Sequence, residues 1–307
     1  MKYVILQPYF GKFPIWMDLF LYSCGKNSNI DFVFFTDCVP TIVQKSYPNV
    51  FFRQTTFEEY CKMVSLRLGI DFKPEYTYKL CDLKPFLGVV HQEIIDNYDY
   101  WGYCDIDVLL GDLSILLREM KEYDIISTHD DRLSGHFTMM KTKSKFTRAC
   151  FKIWKWNEKL TMQKHKCLDE TAFTIVVAWP MFCRDKFYQR YFMKSFPCIK
   201  GFYYKVTDAI IRLIQDNKVL FREYFTTPIP NASSQYIYDT KTGKVRDVIE
   251  DRELPYLHYL FFKKNQYLHS DDYWTEDFYH FHQGESFREI RKIEINKEGI
   301  YPISLFK

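Results

Sequence analysis

The sequence predicts an α/β protein: a mostly parallel central sheet flanked by helices, followed by a C-terminal region that includes a β-hairpin. Two observations carry this. Short apolar runs alternate with helical patterns over residues 1–130, the order expected when helices cover both faces of a parallel sheet. Runs such as Phe32-Val33-Phe34-Phe35 are also apolar without a break, which suits strands buried on both sides.

The elements follow in order. Val4-Ile5-Leu6 is a strand, closed by Pro8-Tyr9-Phe10-Gly11. Pro14 opens a helical pattern with Ile15, Leu19 and Tyr22 on one face. The Phe32–Phe35 strand ends at Thr36-Asp37. Thr56 with Glu59 three residues on is a capping box, and Gly69 is a stop, so the spacing predicts a helix over 57–68. Asp82 as N-cap and Pro85 in the first turn predict a helix running to about Asn97. Tyr100–Cys104 is the next strand and Ile125–Ser127 another. Beyond residue 130 the pattern loosens. Residues 144–158 and 169–179 read as helical, Tyr236–Val248 as a hairpin turning at Thr242-Gly243, and Pro255–Phe262 as a late strand. With no repeat and no linker, residues 1–307 read as one domain, residues 1–130 forming one half and 131–307 the other.

Composition narrows the function classes. At 47% hydrophobic and 26% charged, the chain is that of a folded globular protein. A net charge of +3, with no long block of like charge, argues against nucleic acid as a partner. Lys263-Lys264 and Arg288, Arg291 and Lys292 suit a phosphate or an anionic membrane surface, or simply a solvated face. The nine cysteines are odd in number and form no C-x-x-C, as expected of reduced thiols in a cytosol. The N-terminal apolar run reads as a strand rather than a signal peptide, and no stretch of about 18 apolar residues suggests a membrane span.

The strongest local signal is Trp101-Gly102-Tyr103-Cys104-Asp105-Ile106-Asp107. Two carboxylates bracket one apolar residue directly after a strand. On a continuing strand they would share a face, and two hard oxygen ligands would then suit Mg²⁺ or Mn²⁺. The plainer reading is a strand-end cap beside a solvated aspartate. A second signal is Leu257-His258-Tyr259-Leu260-Phe261-Phe262-Lys263. His258 fits a third metal ligand and Lys263 a partner for a diphosphate; the plainer reading is a satisfied core histidine and a solvated strand end.

With these pieces in place the sequence resembles the GT-A glycosyltransferases, whose fold is Rossmann-like. It looks most like a bacterial family that builds capsular and O-antigen polysaccharides. The matching segments are Ile5–Gly11, Phe35-Thr36-Asp37, Tyr78–Pro85, Gly102–Asp107, Gly135-His136-Phe137 and Leu168-Asp169-Glu170, with His258 to Lys263 similar to a C-terminal His and Lys motif. Related enzymes often carry Gly and Lys-Pro-Trp after that histidine, where this chain has Phe-Phe-Lys-Lys.

The resemblance implies a nucleotide-sugar half and an acceptor half. It implies that Pro8, Tyr9 and Phe10 lie under the base, that Asp37 bonds the uracil or ribose, and that Lys79, Asp82, Lys84, Asp105 and Lys263 contact the donor. Asp105, Asp107 and His258 would hold the Mn²⁺ or Mg²⁺.

An inverting transferase needs a base for the acceptor hydroxyl. Asp169 is expected in that role, with Glu170 as the fallback and Asp130 and His136 shaping the acceptor site. A retaining enzyme would need no base there. The expected partners are a UDP-sugar, with UDP-galactose in its pyranose or furanose form foremost, and a polysaccharide or lipid-linked glycan. The expected location is the cytoplasm, with peripheral association at the inner membrane face as one option. Two other readings stand beside this one. A metal-dependent nucleotidyl- or phosphotransferase would show a Gly-rich phosphate loop, and none is present. A non-catalytic glycan-binding module would tolerate loss of one aspartate of the pair, and both are present.

Overall fold

A computed structural model describes residues 1–178, 187–190, 193, 197–214, 218–263, 274–281 and 286–303. The expected α/β architecture is what it shows. Seven strands make the main sheet: β1 (Tyr3–Pro8), β2 (Ile30–Thr36), β3 (Val50–Gln54), β4 (Tyr100–Cys104), β6 (Ile125–Ser127), β7 (Phe137–Lys141) and β8 (Val219–Phe221). Their order is β3-β2-β1-β4-β7-β6-β8. All run parallel except β7, which is antiparallel to both of its neighbours. Side chains alternate across the pleat, so Val4 and Leu6 join one core layer while Tyr3 and Ile5 join the other.

One helix matches its expected signals closely, and a second matches in part, starting at Met17 rather than at Pro14. Helix α2 (Phe57–Leu68) carries the Thr56–Glu59 capping box and ends at Gly69 with φ +65°. Helix α1 (Met17–Lys26) buries Leu19 and Tyr22, while Ile15 falls before it and is exposed.

The helix expected from Asp82 to Asn97 is instead a series of short turns: Leu80–Leu83, Lys84–Phe86, Leu87–Val90 and Gln92–Ile95. Pro85 has no amide proton to continue the ladder, and His91 leaves the helical region at φ −116°. Asp82 is a buried residue inside this run rather than its cap. The helix expected over 144–158 is reduced to Ala149–Lys152 and Trp156–Thr161. The stretch from 169 is a π-turn, Leu168–Ala172, followed by the helix Phe173–Val177; its expected last residue, Trp179, lies outside the described residues.

After β4 the chain bends and enters β5 (Val108–Leu110), which among the described residues pairs with β12 (Tyr256–His258) alone. The late strand expected over 255–262 is therefore three residues long. The hairpin is present as β9 (Gln235–Asp239) and β10 (Lys244–Asp247). It belongs to a five-stranded antiparallel sheet completed by β11 (Arg252–Leu254), β13 (Lys292–Asn296) and β14 (Ile300–Ile303). A third apolar layer, with Tyr238, Leu257 and Trp274, packs this sheet against α1 and β5. Cys24, Cys38, Cys61, Cys104 and Cys150 are buried free thiols. Among the described residues no helix is long and apolar enough to cross a membrane.

Candidate functional site

The chain runs from β1 outward through β2 to β3, then returns to place β4 on the other side of β1. A crevice therefore opens between the carboxyl ends of β1 and β4, where open α/β sheets bind ligands. A cleft of about 880 Å³ lies there, lined by Pro8, Tyr9 and Phe10 after β1 and by Asp105 and Asp107 after β4. Because β7 is antiparallel, Gly135 and His136 just before it adjoin the same edge and also line the cleft.

The two aspartates converge by a bend and not by strand alternation. The Asp105 amide donates to the His136 carbonyl at 3.0 Å, Trp16 Nε1 to the Ile106 carbonyl at 2.8 Å and the Tyr259 amide to the Asp107 carbonyl at 2.9 Å. These three bonds hold the turn from both flanks. Asp105, Asp107 and His258 each present a ligand atom, and all three atoms lie within 4.8 Å of one another. Two carboxylates and an imidazole form a donor set that fits Mn²⁺ or Mg²⁺. His258 Nε2 is 3.6 Å from Asp107 Oδ1, and Lys263 donates to Asp107 Oδ2. Burial alone would raise the Asp107 pKa, but His258 and Lys263 outweigh it and hold the carboxyl well below its usual range.

Lys84 is the second centre of charge. Its ammonium donates to Asp105 Oδ1 at 2.6 Å and to the Gly135 carbonyl at 2.8 Å, and it sits 3.5 Å from Asp169 Oδ2. Burial opposes its charge, yet Asp105, Cys81 and Asp169 prevail and raise its pKa well above the usual value. For Asp169 the balance falls the other way. Burial pushes its carboxyl up to about 7, against Lys84 and with the help of Glu170, Asp105 and Asp82. Asp169 and Glu170 lie in the π-turn, a distortion of helical hydrogen bonding that often accompanies functional sites. Gly135 makes room for them: a Cβ there would stand 2.7 Å from Asp169 Oδ2 and 2.9 Å from Glu170 Cγ.

Other expected residues lie elsewhere. Lys79 and Asp82 do not line the cleft. They form a fully buried pair at 2.7 Å, with Lys79 donating to the Lys159 and Lys164 carbonyls and Asp82 accepting from the Lys166 and Leu168 amides. The pair pins the segment before the π-turn. Asp37 also stands outside the lining; it accepts from the Gly11 amide at 2.8 Å and so braces the Pro8–Gly11 loop. Asp130 is exposed and away from the lining. His136 does line the cleft, stacked on His258 with centroids 4.2 Å apart. Burial, then His258 and His129, hold its pKa well below the usual imidazole value. Lys264 lies outside the described residues.

The cleft also takes in His165 and Thr227, which no sequence signal marked, together with Tyr78. Tyr78 and His165 face each other edge to face at 5.0 Å beside Asp169, and Thr227 touches both His136 and His258. His165 and Thr227 lie in irregular segments, where residues carry no spacing signal. Tyr78 does belong to the Tyr78–Pro85 segment singled out above.

No curated protein matches the sequence. Among solved structures it is similar to the crystal structure of the glycosyltransferase GlyE in Streptococcus pneumoniae TIGR4, at 10% identity and a TM-score of 0.30. That likeness covers 72% of this chain and 45% of the other, so the chain spans less than half the length of that protein. A family model, described as a family of unknown function (DUF6625), matches residues 5–284, and the chain belongs to that family.

Proposed function

We propose that the chain is a metal-dependent glycosyltransferase of the GT-A type. It would move a sugar from a nucleotide donor, a UDP-sugar foremost, to a glycan or lipid-linked glycan at the cytoplasmic membrane face, with inversion. One observation carries the reading: two carboxylates and an imidazole within 4.8 Å stand in the switch-point cleft, joined through Lys84 to a buried carboxyl poised near neutrality. Asp105, Asp107 and His258 would hold the cation, whose charge would balance the diphosphate that departs as the glycosidic bond breaks. Lys263, which donates to Asp107, would hold a diphosphate oxygen. The loop Pro8–Phe10 supplies a floor for the base, with Phe10 anchored in the core against Phe57 and Tyr60. Asp169 would take the proton from the acceptor hydroxyl, a task best served by a pKa close to the working pH.

The test is release of UDP from a panel of UDP-sugars, UDP-galactose first, with Mn²⁺ and without acceptor. Slow hydrolysis is expected for the wild type. Asp107→Ala is expected to lose both this activity and Mn²⁺-dependent UDP binding by calorimetry. UDP affinity unchanged in that variant would remove the cation from the reading, and no hydrolysis with any sugar nucleotide would leave only a binding role.

A further inference from the structure

Thr227 lies between β8 and β9, in the wall of the cleft. Its hydroxyl oxygen is 3.2 Å from His258 Nδ1 and 3.2 Å from His136 Nε2. Both rings are buried and nearly parallel, inclined by 21°. The His258 amide donates to the Thr226 carbonyl at 2.7 Å, which fixes the two segments in register. A threonine hydroxyl has one proton, so it donates to one ring and accepts from the other. Two arrangements satisfy all three groups. In the first, His258 Nδ1–H donates to the hydroxyl, which donates to His136 Nε2. In the second every direction reverses, and His258 carries its proton on Nε2, aimed at Asp107. Only the first leaves a lone pair on Nε2, and a ligating imidazole needs it.

We infer that Thr227 is a positioning residue whose hydroxyl orients His258 and holds it in the tautomer that presents Nε2 to a divalent cation beside Asp105 and Asp107. The inference rests on the cation reading of those three residues. It adds a partner outside the ligand set, of the kind that commonly orients a ligating histidine.

Calorimetric titration of the full chain with Mn²⁺ alone tests it. Thr227→Val is expected to weaken Mn²⁺ binding by about tenfold or more, and Thr227→Ser to restore it. Equal loss in the serine variant would overturn the role of the hydroxyl. Wild-type affinity in Thr227→Val, alongside lost binding in His258→Ala, would overturn the Thr227 inference and leave the cation site standing. No Mn²⁺ binding by the wild type would overturn both. Should the valine variant fail to fold, long-range ¹H–¹⁵N spectra of histidine-labelled wild-type protein with Mg²⁺ decide the matter. A proton on Nδ1 of His258 is expected, and one on Nε2 would overturn the proposal.

Discussion

Lys84 is the residue through which the charges of the site communicate. It touches Asp105 directly and lies within reach of Asp169, so the carboxylate at the proposed cation position and the proposed base share one ammonium. A consequence for pH follows. With the Asp169 carboxyl pushed up to about 7, its basic form is lost as pH falls through that value, so transfer is expected to decline below about pH 7. Lys84 acts to lower that pKa. Lys84→Met should therefore move the rising limb of the pH–rate profile to higher pH, and Asp169→Asn should cut turnover by roughly 10² or more while UDP still binds. A profile in Lys84→Met that coincides with the wild type would break the link. Asp105, Asp107 and His258 were legible in the sequence because an acidic pair after an apolar strand, and a histidine inside another, are local patterns. Lys79 and Asp82 were misplaced because the same chemistry serves a buried pair as well as a ligand. Only the surroundings, two carbonyls and an amide from the segment before the π-turn and the amide of its first residue, distinguish the cases.

At the scale of elements, what could be read depended on how local the cause was. Helix α2 is set by its own capping box and glycine stop, and its bounds agree with the sequence reading. The turns from Leu80 to Ile95 are set by Pro85 and by the close packing of Gly88 on Trp101, where a Cβ would come within 2.4 Å of the ring. Apolar spacing alone does not report such a contact. Nor does it report the direction of a strand, so the antiparallel run of β7 was not foreseen, although it delivers Gly135 and His136 to the cleft. The π-turn depends on that delivery. Gly135→Ala would drive a methyl group into Asp169 and Glu170, and is expected to cost about 1–3 kcal/mol in urea denaturation and to lower turnover. Turnover unchanged in that variant would show that the π-turn can move without affecting the chemistry.

At the scale of the molecule, the site is assembled from distant parts of the chain: the loop after β1, the bend after β4, the π-turn and the segment after β12. The third apolar layer joins the antiparallel sheet to α1 and β5, which ties both halves to one cleft. Saturating UDP with Mn²⁺ is expected to raise the melting temperature of one cooperative calorimetric transition, since a ligand present at 100 times its dissociation constant adds about 2.7 kcal/mol. A shift confined to one of two resolved transitions would show that the halves melt independently. The ion pair between Asp107 and Lys263 spans 156 residues. Loops of that length close late, and synthesis proceeds from the N-terminus. On the ribosome, β1 to β4 emerge well before the segment that carries Lys263, so the cleft is among the last features to be completed.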